Sequence, residues 1–166
     1  MLTDGVESAG STGIKAAELR DFYEEIAACL DAEALREFPA FFTADARYQI
    51  ISRENHDDGL EHATMYCLGR DMIEDRVMAT VEAALYQPRS LRHFISGVRV
   101  TGGDDGEVNA EANFLIIESL LEQEPQILMV GRYLDRVVRE EGALKLRERS
   151  CVYDNYRIRT TLVIPV

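Results

Sequence analysis

LRHFISGVRV, residues 91–100, is the stretch on which the reading of the fold turns. It is rich in β-branched and aromatic residues and opens the longest β-rich part of the chain. It also carries His93. Whether that histidine moves protons or only braces a strand is the main functional question the sequence poses.

Working outward toward the C-terminus, strand follows strand. The first, over 91–101, closes at the glycine- and aspartate-rich turn 102–106. A second, over 107–121, puts Ala110, Ala112, Phe114 and Ile116 on one face. After a turn at 122–125, a third over 126–139 aligns Ile127, Met129, Gly131, Tyr133 and Val137, with Gly131 a candidate bulge in mid-strand. Residues 140–142 make a hairpin turn, 144–154 a last full strand, and 156–166 an extended tail ending in LVIPV.

Toward the N-terminus the period changes. Leu19, Phe22, Tyr23, Ile26 and Leu30 recur at helical spacing and predict a helix beginning near Ile14. A short helix is expected over 32–41, disturbed by Pro39, then a turn at Thr43, Ala44 and Asp45 and a strand over 46–52. The charged run 53–59 reads as a loop and 62–68 as a short strand. Met72, Ile73, Val77, Val81 and Leu85 predict a third helix, which Pro88 ends. Helices first and long strands after give an α+β domain, in which a curved mixed or antiparallel sheet wraps around N-terminal helices like a cone. Residues 1–13 are expected to be a flexible arm and 14–166 a single domain.

Charge and composition narrow the function. The chain holds 18 basic against 30 acidic side chains, a net charge of −12, so a nucleic-acid partner is not expected. No apolar run reaches the ~20 residues that span a bilayer, and the first residues do not read as a secretory leader. Cys29, Cys67 and Cys151 are odd in number and far apart, giving neither a disulfide framework nor a CxxC metal motif. The expectation is a reduced, cytoplasmic protein without membrane contact.

Motifs are mostly absent. His56, His62 and His93 are the only histidines, and none sits in an HExxH pattern. There is no glycine-rich phosphate loop and no GxSxG elbow. What remains is acid–base chemistry in a cone-shaped pocket, as in the ketosteroid isomerase and scytalone dehydratase group. Asp45, Tyr48, His93 and Tyr133 could line such a pocket, with a His–Asp pair tuned toward neutrality. The plainer alternative is that a lone strand histidine is hydrogen-bonded and structural.

Several segments in order carry a resemblance: REFPAFFTADARYQI (36–50), RENHDDGL (53–60), MYCLGRDMIEDRV (65–77), YQPRSLRHFISGVRV (86–100), GRYLDRVVREEGALKLRERSCVYDN (131–155) and VIPV (163–166). Together they resemble the small (β) subunit of bacterial aromatic-ring-hydroxylating dioxygenases, nearest to members acting on aromatic carboxylates such as salicylate or anthranilate. One packing residue departs from the pattern, since relatives often place Trp before Pro39. The resemblance implies a cystatin-like fold, the same cone as nuclear transport factor 2 and ketosteroid isomerase. It implies no active site and no cofactor in this chain. A Rieske [2Fe–2S] cluster and a mononuclear iron would reside in a catalytic α subunit, the expected partner, in an α3β3 hexamer built on a β trimer. The holoenzyme would be an oxidoreductase of aromatic compound catabolism, this chain its structural part. Arginines suit such contacts because the planar guanidinium pairs bidentately with carboxylates. Arg89, Arg92, Arg132, Arg136, Arg147 and Arg149 are therefore the candidate subunit contacts, with apolar Leu162 and Val163 of the tail.

Overall fold

A computed structural model describes residues 13–83, 89–104, 106–155 and 165–166. Residues 1–12 of the expected arm, and the tail positions Leu162 and Val163, lie outside the described residues.

The N-terminal stripe folds as predicted. Helix α1 spans Ala16–Asp31 and buries Leu19, Phe22, Tyr23, Ile26, Ala27, Cys29 and Leu30. Each fully buried large apolar side chain contributes roughly 1.5–3 kcal/mol, so this one face anchors the helix. The next segment differs from expectation. Leu35–Phe41 is a 3₁₀ helix with Pro39 inside it, a tighter and shorter form that tolerates a residue lacking an N–H.

Strand β1 spans Phe42–Ser52 and so includes Thr43, Ala44 and Asp45, which read as a turn in sequence. The irregularity is real but is a bulge: Phe42 pairs with Leu146 and Arg47 with Glu148, leaving more residues on β1 than on its partner. The charged run is not all loop. Arg53–Asp57 forms the short helix α2, and Ser52 caps it by accepting from the Asn55 N–H. Strand β2 is Met65–Leu68, shorter than expected, and helix α3 is Arg70–Ala83.

Four long strands follow: β3 Arg89–Asp104, β4 Glu107–Leu120, β5 Gln126–Glu140 and β6 Ala143–Tyr153. β3 thus runs into the glycines expected to close it. The six-stranded sheet has the order β2-β1-β6-β5-β4-β3. β1 and β6 are parallel, while every other pair is antiparallel. One sheet face packs on α1, the 3₁₀ helix and α3, where Ala110, Ala112, Phe114 and Ile116 are buried as predicted.

The bulges lie away from Gly131. In β4–β5 the register shifts because Ile116 pairs with Met129 but Ile117 with Ile127, so Leu128 is the extra residue. That slip turns Ile127 outward, to 58% exposure, against the expected inward face. Gly131 serves close approach: a Cβ there would meet the Val152 carbonyl oxygen at 2.1 Å. In β3 the shift falls between Ser96 and Arg99, where Gly97 has φ +64°.

Candidate functional site

The space between α1 and the sheet is where a cone-shaped fold would hold a pocket. Here polar and aromatic side chains occupy it. Tyr23 projects from α1, Tyr133 and Asp135 from β5, and Arg149 and Cys151 from β6, all buried. The Tyr23 hydroxyl donates to Asp135 Oδ2 at 2.5 Å. Arg149 donates to the same carboxylate from Nη2 at 2.7 Å and from Nε at 3.2 Å. Its guanidinium lies 4.2 Å from the Tyr133 ring centre and 5.0 Å from that of Tyr23. Tyr133 in turn stacks on Phe114 at 4.5 Å.

A buried charge costs several kcal/mol unless paired and hydrogen-bonded. This one is paired on two donors and covered by two rings. Burial alone would lower the Arg149 pKa, but Asp135 overrides it and holds the group charged. Burial, with the Asp135 charge, pushes the Tyr23 phenol well above its usual range, and burial does the same to Tyr133. Neither phenol is poised to give up a proton near neutrality.

Tyr48 is buried beside this cluster. Its hydroxyl accepts from the Val166 N–H at 3.0 Å and contacts Val166 O at 3.1 Å, while the Cys151 thiol donates to Val166 O at 3.3 Å. Burial raises the pKa of Tyr48 and of the Cys151 thiol. Residues 165–166 thus enter the core against β1 and β6.

His93 finds an acid, but not the expected one. Its Nδ1 lies 2.6 Å from Asp31 Oδ1, and its backbone N–H donates to the same carboxylate at 3.1 Å. The ring is wholly buried and Nε2 has no partner. Desolvation lowers its pKa, against the opposing pull of Asp31. Asp45 is exposed on β1, accepts from the Thr43 hydroxyl at 2.8 Å, and is held below its usual pKa mainly by that bond. The quartet Asp45, Tyr48, His93 and Tyr133 therefore does not converge. Three members are inside, and the carboxylate that was to complete the acid–base pair faces solvent.

The arginines sort equally clearly. Arg149 leaves the candidate interface set, because it is 1% exposed and held by Asp135. Arg89 is mostly buried against Glu118 at 2.8 Å. Arg136 and Arg147 both reach Glu107, and Glu148 links Arg136 to Arg47, forming a charged row across four strands. Arg92 is 66% exposed and only 3.9 Å from Asp31, and Arg132 is half-buried on the outward face. Among the described residues, no three His, Cys, Asp or Glu side chains are grouped to hold a metal.

A family model described as ring hydroxylating beta subunit matches residues 25–160. The chain belongs to the ring-hydroxylating β-subunit family. It is 32% identical over 137 residues to the anthranilate 1,2-dioxygenase small subunit of Burkholderia cepacia, covering 82% of this chain and 85% of that one. A crystal structure assigned as the β subunit of an aromatic-ring-hydroxylating dioxygenase from Novosphingobium aromaticivorans superposes with a TM-score of 0.83. It is 36% identical, with 91% of this chain and 96% of that one covered. A structure from the same organism assigned as a scytalone dehydratase has a TM-score of 0.65 at 19% identity, covering 87% and 89%. That second likeness is one of fold, and the cone predicted from the sequence is the fold observed.

Sequence reasoning missed Asp31, Tyr23 and Asp135 as polar partners. The signals were present. Tyr23, Ala27 and Asp31 are spaced four apart and share a helix face. Asp135 alternates in phase with Tyr133 and Val137, an acid on an inward-facing position.

Proposed function

We propose that this β subunit is a structural component of an aromatic-ring-hydroxylating dioxygenase and carries no active site of its own. The observation that carries the reading is the buried polar and aromatic cluster between α1 and the sheet. The place where the fold could keep a catalytic pocket is taken by the Tyr23–Asp135–Arg149–Tyr133 cluster, and the expected carboxylate, Asp45, points to solvent. The Rieske cluster and mononuclear iron then belong to a catalytic α subunit with which this chain assembles in the cytoplasm, as an α3β3 hexamer on a β trimer. The similarity to an anthranilate dioxygenase small subunit supports an aromatic carboxylate as the holoenzyme's substrate class.

Co-expression with a large subunit encoded beside it tests this. A stable, iron-containing complex that hydroxylates an aromatic acid is the expected product, with the isolated chain inert. Isolated chain that turns over a ketosteroid or scytalone-type substrate, or that binds no large subunit, would overturn the reading.

A further inference from the structure

Away from the interior, one groove combines an apolar floor with a half-committed guanidinium. Arg47, Gln49 and Ile51 are alternate residues of β1 and share one strand face. Tyr66 of β2 stands opposite Gln49, and Leu60 lies in the connection between α2 and β2. Together they line a space of about 400 Å³, within the size range of small-ligand sites. Leu60 and Tyr66 are 47% and 46% exposed, so the apolar floor is open to a ligand. The connection that walls it is tied down. The Gly59 N–H donates to His56 O at 3.1 Å, the Leu60 N–H to Asn55 O at 2.8 Å, and Asn55 Nδ2 to His62 O at 2.8 Å. A wall already ordered loses little freedom when a ligand settles against it.

The charge comes from the ion-paired row across the sheet. Glu148 is shared by Arg47, at 2.8 Å, and Arg136, at 3.1 Å, while Glu107 is shared by Arg136 and Arg147. In that row three guanidiniums share two carboxylates, and Arg47 is the member that lines the groove. It gives only Nη2 to Glu148; Nη1 and Nε have no partner among the described residues. These remaining donors belong to the planar fork that suits a second carboxylate. Two further titratable side chains line the groove. His56 is held by Asp57 at 3.1 Å. Glu61 is exposed and makes no ion pair among the described residues. As an acceptor only, Glu61 favours a ligand that carries a donor remote from its own carboxylate.

We propose that this groove binds a small aromatic carboxylate, with the carboxylate on Arg47, the ring against Tyr66 and Leu60, and a ring hydroxyl toward Glu61. The ring contributes apolar burial, and the guanidinium selects the charge. The site lies on the β chain itself and uses neither the interior cluster nor the iron chemistry assigned to the large subunit.

The test uses the full chain, with folding checked by circular dichroism. Binding is read by calorimetry and by the amide shifts of Gln49 and Tyr66. Benzoate, the simplest aromatic carboxylate, is the probe. It binds saturably, and more weakly as salt rises. Benzamide keeps the ring without the charge and binds about tenfold more weakly or worse, as does benzylamine. Arg47→Gln weakens benzoate about tenfold or more, and Arg47→Lys, which keeps the charge without the fork, falls between. Tyr66→Ala weakens it about threefold or more. Glu61→Gln leaves benzoate binding intact but removes the advantage of para-hydroxybenzoate over it. Arg99→Gln, a control at an exposed arginine of β3 paired with Glu111, changes nothing. No saturable binding, shifts confined to other parts of the chain, benzamide equal to benzoate, or an Arg47→Gln chain that binds like wild type each overturn the site. An equal loss in Arg99→Gln does so too, because the effect is then one of overall charge. Failure to capture a large subunit would sink the dioxygenase reading and leave this site standing.

Discussion

Asp31 grips His93 at two points, its carboxylate accepting the backbone N–H at 3.1 Å and lying 2.6 Å from ring Nδ1. The last residue of α1 is thereby tied to β3. Removing either partner should loosen that junction. Asp31→Ala and His93→Ala are each expected to lower stability by about 2–3 kcal/mol, from an unsatisfied buried polar group or a cavity. Urea titration gives the value. Any holoenzyme that still assembles should keep its turnover. A fully assembled, iron-replete His93→Ala complex without activity would show that the histidine does chemistry.

The same ring predicts a pH dependence. Burial depresses the His93 pKa in the folded chain, with Asp31 opposing and Arg149 adding to the depression. Just below the usual histidine value of about 6.5, the unfolded chain then binds more protons than the folded one. The stability contributed by the neutral ring is complete above that value and is lost as pH falls through the folded pKa. Denaturation midpoints measured from pH 7.5 to 5 should decline in wild type and decline less in His93→Gln. A midpoint that climbs toward pH 5.5 contradicts the sign.

Arg149 and Asp135 should behave as a unit. Arg149→Met alone leaves a buried carboxylate without its counter-charge and is expected to cost about 3–5 kcal/mol. Adding Asp135→Leu and Tyr23→Phe should recover much of that loss, because no charge or donor is then left stranded. Calorimetric melting of the single and triple variants distinguishes this from simple loss of packing, which would not be recovered.

Gly131→Ala should be far more damaging than its chemistry suggests. The new methyl would meet Val152 O at 2.1 Å and Tyr153 Cα at 2.8 Å, both backbone, so β5 and β6 would have to part. A loss above about 3 kcal/mol, or failure to accumulate soluble protein, is expected. Gly59→Ala serves as control. Nothing lies within 4 Å of it and only its φ of +67° is strained, which costs about 1–2 kcal/mol. Equal effects of the two substitutions would remove close approach as the reason for Gly131.

Where apolar residues recur with a strict period, the sequence was sufficient. Leu19 to Leu30 marked the buried face of α1, and Ala110 to Ile116 that of β4. It failed where a single extra residue changes phase. Ile127 fits the inward pattern of β5 by counting, yet Leu128 is bulged and Ile127 faces out. Thr43–Asp45 has turn-forming residues but lies in β1, as the bulge between the Phe42–Leu146 and Arg47–Glu148 pairs. Polar pairing was the least legible. Asp31 and His93 are 62 positions apart, and nothing local to either names the other. The buried cluster was equally hidden, since Tyr23 and Arg149 read in isolation as an ordinary aromatic in a stripe and an ordinary strand arginine.

The position of β3 at the rim of the sheet has one more consequence. Among the described residues no strand pairs with the outer side of β3, and an edge of 16 residues is one on which a foreign strand could add. The His93 N–H on that edge is already taken by Asp31. The shifts at Gly97 and between Val100 and Gly102 break the remainder into short lengths. The Asp31 carboxylate and the two register shifts thus shorten the stretch of β3 on which another strand could add, the same devices by which edge strands are guarded against fibril-like growth.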